Sequence, residues 1–287
     1  MSRRLLVVVV ALAVPLAGCA GALGGGDGGD ARTVNPALGE TPTASPTPTP
    51  EPSYPPGVGP EEVDATLLVA AHNAELWRAN STVSFRRTIV AANGTTLATR
   101  RSVTDSVDDR MRYRVVTAGS VPGEPPSALR SFAFWRNESR TAVRTVTRDG
   151  VVSVRATDRL PRTAQSPDDS GEGLLAAAFA GTAPRLVGTS VEGGDRLFRL
   201  RAVHDRLDGT ARGSVRNLTL TARVTESGVV REYTLEYTAT YRTGNRTVTA
   251  VTTERFRVSR DGAAAAPPDW AVDALANASD GRAPTAD

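Results

Sequence analysis

The stretch 229–259, VVREYTLEYTATYRTGNRTVTAVTTERFRVS, decides the fold because its side chains alternate with a period of two. Its first half places five apolar residues on one face: Tyr233, Leu235, Tyr237, Ala239 and Tyr241. Threonines and glutamates occupy the other face, which is the pattern of a strand with one buried side. The turn Thr243-Gly244-Asn245 leads into a second strand, Thr247–Ser259. The segment therefore predicts a long antiparallel hairpin.

The same period of two recurs on the N-terminal side of this hairpin. It predicts strands that start at Thr82 and Met111, and strands over residues 97–107, 131–136, 141–147, 151–156, 185–190, 196–203 and 214–224. Asn93-Gly94 and Asp149-Gly150 fall between these strands, where they favour tight hairpin turns. We therefore expect an antiparallel sheet.

Two segments carry helical patterns instead. Between Pro60 and Ala79, apolar residues recur every three to four positions after an acidic first turn, as is typical of an amphipathic helix. Leu174–Ala180 is short and apolar and predicts a buried second helix. This element order predicts an α+β fold: a curved antiparallel β-sheet, or half-barrel, with helices packed on its concave side. An immunoglobulin-like sandwich is the alternative, but the two helices argue against it.

The chain begins with a basic and then an apolar segment. Residues 1–18, MSRRLLVVVVALAVPLAG, have the charge, apolar centre and small-residue end of a signal peptide. Leu16-Ala17-Gly18-Cys19 resembles the lipobox of exported lipoproteins, whose cysteine is lipidated on sulfur, and Cys19 is the chain's only cysteine. Ser2-Arg3-Arg4 resembles a twin-arginine motif, so a Sec or twin-arginine signal is expected. Lipidated Cys19 is predicted to anchor the protein to the outer face of the cytoplasmic membrane.

The regions that flank the folded domain have a different composition. Residues 19–60 are rich in glycine and then in threonine and proline. They contain too few apolar residues to form a core, so a disordered stalk is expected. The folded domain is expected over residues 61–272, and a disordered tail over residues 273–287.

Composition excludes one class of partner and indicates a compartment. All 34 basic residues are arginine, against 31 acidic residues, which gives a formal net charge of +3. The arginines alternate with acids and threonines, without the clustering that indicates nucleic-acid binding. Six of the eight asparagines stand in glycosylation sequons, which indicates an N-glycosylated chain outside the membrane. The predicted glycosylation sites are Asn80, Asn93, Asn137, Asn217, Asn245 and Asn277.

Two segments resemble a family of uncharacterised haloarchaeal surface lipoproteins. They are DATLLVAAHNAEL at 64–76, followed by Asn80-Ser81, and PPDW at 267–270. The exported context and the element order also resemble, by fold-level analogy, the LolA/LppX-like half-barrel of lipoprotein carriers and lipid-binding lipoproteins. That resemblance implies a role in binding or carrying lipid.

The sequence predicts no catalytic, metal or cofactor site, and we do not expect an enzyme. His72 lies within the first helix, where a packed histidine is expected. His204 stands beside Asp205, but no nucleophile motif accompanies the pair. Asp108-Asp109 and Asp168-Asp169 are interpreted as solvated loop acids, since no calcium-binding spacing surrounds them.

The leading functional hypothesis is a surface lipoprotein that binds or carries a lipid or other hydrophobic ligand in a cleft between helices and sheet. Such a cleft needs a volume of about 300 Å³ or more. The residues predicted to line it are Leu218, Leu220, Tyr233, Leu235, Tyr237 and Tyr241. The alternative is a non-catalytic, glycosylated structural or interaction module of the cell surface. The sequence indicates no particular protein partner.

The lipid anchor is tested by Cys19→Ser, which removes the thiol that the lipid requires. We expect this variant to leave the membrane fraction, whereas the neighbouring Ala20→Ser variant should remain in it. Mass spectrometry of the wild-type N-terminal peptide should show a lipid on Cys19. An unmodified N-terminus at another residue would contradict the anchor.

Overall fold

The computed structural model describes residues 53–121, 127–158, 170–210, 213–243, 246–260 and 265–279. These residues form helices α1 (Ala65–Leu76), α2 (Glu172–Phe179) and α3 (Asp269–Ser279). The strands are β1 (Ser81–Ala91), β2 (Thr96–Val107), β3 (Arg110–Gly119), β4 (Leu129–Arg136), β5 (Thr141–Thr147), β6 (Val152–Thr157), β7 (Arg185–Glu192), β8 (Asp195–Thr210), β9 (Gly213–Thr225), β10 (Val230–Thr243) and β11 (Arg246–Ser259). The predicted signal peptide, Cys19 and most of the predicted stalk lie outside the described residues.

All eleven strands belong to one antiparallel sheet with the order β6-β5-β4-β3-β2-β1-β11-β10-β9-β8-β7. Strands β1–β6 run outward from the centre as one meander, and β7–β11 run inward from the other edge as a second. The meanders meet where Thr82–Ala91 of β1 pairs with Ala250–Ser259 of β11. The predicted α+β fold, one antiparallel sheet with packed helices, is confirmed.

The hairpin that predicted the fold is β10–β11. Tyr233 pairs with Phe256, and their rings stack with centroids 5.3 Å apart. Tyr233, Leu235 and Tyr237 lie on the same side of the sheet, which we call the inner face, and each is at most 4% exposed. The predicted alternation of buried and polar residues is therefore confirmed for this strand.

Helices α1 and α2 cover the inner face of one half of the sheet. Their buried residues join one apolar cluster with side chains of β1 and β8–β11: Leu68, Val69 and Leu76 from α1, and Leu175, Ala178 and Phe179 from α2. Gly171, just before α2, has φ = +79°, and a Cβ there would come within 2.4 Å of the Phe256 ring. Only glycine allows this conformation and this close approach together.

Helix α3 lies on the opposite side of the sheet, which we call the outer face. Trp135 of β4 and Ala142 of β5 alternate with inner-face residues and pack against Ala271. The Trp135 indole N–H also donates a hydrogen bond to the carbonyl of Ala265, at 2.9 Å. The prediction of a disordered tail from residue 273 is therefore wrong up to residue 279, because the apolar side of α3 covers Trp135.

The described fold also begins before residue 61. The Tyr54 and Phe198 rings have centroids 6.3 Å apart, and Val58 is buried and pairs with Val63. Residues 53–60, predicted as the end of the stalk, thus belong to the domain. Their few apolar side chains contact a core that the composition of the segment does not reveal.

His72 connects three distant parts of the chain. The backbone N–H of Val230 donates to Nδ1 of His72 at 3.1 Å, so the proton of the neutral ring is on Nε2. Nε2 donates to the carbonyl of Ser170 at 2.8 Å. His72 is fully buried, and this burial lowers its pKa to about 4 although the hydrogen bond to Ser170 acts in the opposite direction. The expectation of a packed histidine is met by a neutral residue that holds α1 to β10 and to the segment before α2.

The lowered pKa of His72 predicts a loss of stability in mild acid. An unfolded histidine has a pKa near 6.5, so between pH ~6.5 and ~4 the unfolded chain binds the extra proton. This contribution to stability is complete above pH ~6.5 and falls by about 1.4 kcal/mol per pH unit as the pH decreases towards ~4.

Urea unfolding of the wild type and of His72→Gln at pH 7 and pH 5 measures this effect. Glutamine can accept from Val230 and donate to Ser170, but it does not titrate. The wild type should lose about 2 kcal/mol more than the variant between these two pH values. Equal losses in both proteins would contradict the assignment.

Candidate functional site

The six residues predicted to line a cleft all face the helices. Five of them, Leu218, Leu220, Tyr233, Leu235 and Tyr237, are fully buried members of the cluster under α1 and α2. The sixth, Tyr241, is half-buried, and its hydroxyl lies 3.2 Å from Oγ1 of Thr252. In this structure these side chains therefore fill the core beneath the helices.

A cleft of about 190 Å³ lies instead where the C-terminal end of α1 meets the sheet. Trp77 follows α1 directly and is 73% exposed at this cleft. The lining consists of Leu76, Trp77, Arg78, Ala79, Asn80, Ser81, Ser106, Asp108, Asp109, Arg110, Met111, Arg136 and Ser170. The cleft thus combines an apolar floor at Met111 with a rim of arginines and acids.

Met111 also belongs to an apolar cluster on the inner face of β3, β4 and β5, which we call the aromatic strip. Its members are Met111, Tyr113, Val115, Phe132, Phe134 and Val143. The Tyr113 and Phe134 rings stack with centroids 5.5 Å apart, and Phe132 lies 6.2 Å from each of them. Among the described residues, no helix contributes to this cluster, in contrast to the core under α1 and α2.

The sequence contains a pattern for the strip that becomes visible only when neighbouring strands are compared. Phe132 and Phe134 alternate in the run SFAFW, and Met111, Tyr113 and Val115 alternate in β3. The register of β3 and β4 places Tyr113 opposite Phe134 and Val115 opposite Phe132. Each strand alone shows only a buried face, and it is the pairing that assembles the aromatic cluster.

The strands around the strip are strongly basic. Strands β2–β6 contain nine arginines and a single carboxylate, Asp105. Asp105 lies on the outer face, where it accepts hydrogen bonds from Arg112 at 2.7 Å and from Thr82 at 2.8 Å. Register places Arg100, Arg136 and Arg155 on the inner face. The inner face of these five strands therefore has arginines and no acid.

A row of charges crosses the centre of the inner face. Glu254 of β11 pairs with Arg87 of β1, and Arg87 pairs with Arg100 of β2. Glu254, only 1% exposed, accepts from Nη2 of Arg87 at 2.8 Å and from its Nε at 3.0 Å. Burial is the largest single effect and acts to lower the pKa of Arg87, but Glu254, through its charge and hydrogen bond, together with Tyr237 and Tyr233 raises this pKa overall. Glu254 is thus directed to Arg87, the nearer of the two guanidinium groups in register.

The other polar residues singled out in the sequence do not converge on one site. Nε2 of His204 lies 2.7 Å from the carbonyl of Thr182, whereas Asp205 is exposed. Asp108 and Asp109 are exposed at the turn before β3, and Asp168-Asp169 lies outside the described residues. Within the described part of the chain, no group of three or more histidine, cysteine, aspartate or glutamate residues is placed to hold a metal ion.

Asn80 directly precedes β1, Asn93 and Asn137 lie in turns between strands, Asn277 lies in α3, and Asn217 lies within β9, an interior strand of the sheet. Asn80, Asn93, Asn217 and Asn277 are exposed, Asn137 is half-buried, and Asn245 lies outside the described residues. Asn80 is also part of the cleft lining, where its Oδ1 accepts from the Asp108 N–H at 3.0 Å. None of the described helices has the length and apolar character needed to span a membrane.

No protein-family model and no curated protein matches this chain. Among solved structures, LprF from Mycobacterium bovis matches with a TM-score of 0.36 and 12% identity, over 74% of this chain and 100% of that one. A DUF1329 family protein from Desulfovibrio piger matches with a TM-score of 0.22 and 10% identity, over 68% of this chain and 89% of that one. A domain assigned as an outer membrane lipoprotein-sorting protein from Vibrio parahaemolyticus matches with a TM-score of 0.21 and 9% identity, over 68% and 92%. At these values, none of the three establishes a family or a function for this chain.

The ion pair in the central row predicts a stability effect. Glu254→Gln removes the only carboxylate in the row and leaves Arg87 beside Arg100 without a counter-charge. We expect a loss of about 2 kcal/mol in the free energy of unfolding, since Arg87 retains some contact with water. Glu236→Gln, on the exposed side of β10, should change this free energy by less than about 0.5 kcal/mol. Denaturant unfolding of both variants checks the prediction, and equal effects would contradict it.

Proposed function

We propose that this protein is a lipid-anchored, extracytoplasmic lipoprotein whose domain binds an amphiphilic ligand on the inner face of β2–β6. The apolar part of the ligand lies along the aromatic strip and reaches the exterior through the cleft beside Trp77. The observation that carries the proposal is the asymmetry of the inner face. One half is filled by α1 and α2, whereas the strip on the other half has no described helix in its cluster.

The composition of the strip suits an acyl chain. Three aromatic rings, a methionine and two valines form a continuous apolar cluster on adjacent strands. Four of its members are at most 9% exposed, so the half-buried Val115 and Phe132 offer the surface that is available for contact. Contact with apolar surface stabilises a ligand roughly in proportion to the area removed from water, at about 25 cal/mol per Å².

The size of the cleft limits how the ligand can bind. At about 190 Å³ the cleft is smaller than the ~300 Å³ typical of a pocket that encloses a whole small molecule. A bound amphiphile therefore extends from the cleft onto the strip, which shares Met111 with it.

The cellular context of the proposal comes from the sequence. The signal peptide over residues 1–18, the lipobox cysteine Cys19 and the six sequons all favour a chain exported to the cell surface. The resemblance to haloarchaeal surface lipoproteins favours the same location. A glycosylated, non-catalytic interaction module is the competing function, and it predicts a domain that holds no small ligand.

Lipid extraction from the purified full chain separates the two functions. Mass spectrometry should detect about one lipid per protein in addition to the covalent anchor. Val115→Asp places a charge on the strip and should abolish this lipid, because a desolvated carboxylate is unfavourable against an acyl chain. A wild type without any such lipid would favour the interaction module.

The matched control for this experiment is the next residue on the same strand. Val116 is also half-buried but faces outward, so Val116→Asp should retain the lipid. Circular dichroism melting shows whether each variant is folded. Equal loss of lipid in two folded variants would contradict a binding site on the inner face.

A further inference from the structure

Arg100 has an unusual environment on the inner face. It lies directly opposite Arg87 on the neighbouring strand, although like charges at paired positions destabilise a sheet. Its Nε is buried and has no hydrogen-bond partner among the described residues. A buried donor left without an acceptor is destabilising, so this arrangement requires a physical explanation.

No carboxylate of the surrounding strands serves Arg100. Glu254 is bonded to Arg87, and Asp105 lies on the outer face with Arg112 and Thr82. On the side away from Arg87, the residue paired with Arg100 is Thr117, whose hydroxyl donates to the carbonyl of Leu129 at 3.1 Å. The row therefore has two guanidinium groups and one carboxylate, and the carboxylate is bonded to Arg87 rather than to Arg100.

Arg100 also borders the aromatic strip. Its partner Thr117 follows Val115 by two residues, which is one step along the inner face of β3, and Val115 contacts the strip. Adjacent strands lie about 4.8 Å apart and alternate residues about 6.8 Å apart, so the Cα atoms of Arg100 and Val115 are about 8 Å apart. The extended arginine side chain covers that distance. A charged group at Arg100 and an acyl chain on the strip can therefore belong to one molecule.

We propose that Arg100 binds the anionic group, a carboxylate or a phosphate, of the amphiphile that the domain holds. This inference rests on the proposed function, because it assigns the headgroup of the same ligand. A planar guanidinium donates two parallel hydrogen bonds to either anion, and such charge-assisted bonds are about twice as strong as neutral ones. The bound anion supplies the second negative charge of the row and accepts from the buried donor.

The test uses the purified full chain and two pairs of amphiphiles, and the two members of each pair differ only in the headgroup. N-phenyl-1-naphthylamine, an uncharged fluorescent probe, is displaced at pH 8 by oleate, by oleyl alcohol, by dodecyl phosphate or by dodecanol. Oleate should bind at least about tenfold more tightly than oleyl alcohol, as expected for a charge-assisted hydrogen bond. The phosphate and dodecanol pair shows whether phosphate is preferred to carboxylate.

Arg100→Met should remove this preference and leave the affinity for oleyl alcohol unchanged. Arg100→Lys should keep part of the preference, because it keeps the charge but loses the two parallel donors. Arg101→Met is the matched control, since Arg101 is the next residue on β2 but is exposed on the outer face, and it should behave as the wild type. The wild-type ratio alone tests the proposal if Arg100→Met does not fold.

The two proposals fail in different ways. Equal binding of oleate and oleyl alcohol by the wild type, or an unchanged preference in folded Arg100→Met, would overturn the role of Arg100 while the proposed function stands. Failure of all four compounds to displace the probe, or of the probe to bind, would overturn amphiphile binding itself and the inference with it.

Discussion

The antiparallel pairing of β1 with β11 is the interaction on which the rest of this structure depends. It joins two meanders that are each built from local hairpins, and it brings together Arg87 and Glu254, which are 167 residues apart. Contacts between such distant residues carry a large loop-closure cost and form slowly. The buried ion pair lies in the middle of this pairing. A one-residue slip would send Arg87 and Glu254 to opposite faces, so the pair also favours the correct register.

The uneven distribution of the helices follows from the same closure. The inward meander contributes most of the apolar side chains under α1 and α2, such as Phe198, Leu220 and Tyr233. His72 links α1 to β10 and to the residue before α2 through two hydrogen bonds that require a neutral ring. Both helices therefore pack on the same half of the sheet. The outward meander keeps its own aromatic cluster, and the described helix that packs on it, α3, lies on the outer face.

Charge is segregated by the strands although it is mixed along the chain. The net charge of +3 and the alternation of arginines with acids gave no sign of a basic surface in the sequence. In the structure, the acids of the outward meander lie mostly in turns, as at Asp108, Asp109 and Asp149, whereas its arginines lie in strands. The inner face of β2–β6 therefore has arginines and no carboxylate. Its position beside the aromatic strip is the reason for proposing an anionic amphiphile as the ligand.

The sequence by itself determined the elements of the domain. A period of two and the turn dipeptides predicted the strands, and the 3.6-residue period predicted α1, because these signals depend on residues close together in the chain. Leu235 and Tyr237 were correctly placed on a buried face for the same reason. Whether that face was core or cleft depended on where α1 and α2 packed, which is a property of contacts between distant segments.

The same holds for α3, whose apolar side has meaning only beside Trp135, and for Tyr54 and Val58, which look like stalk residues until a core is present. The Glu254–Arg87–Arg100 row was decided only by the tertiary structure, since the pairing of three strands, one of them from the far end of the chain, puts these charges side by side.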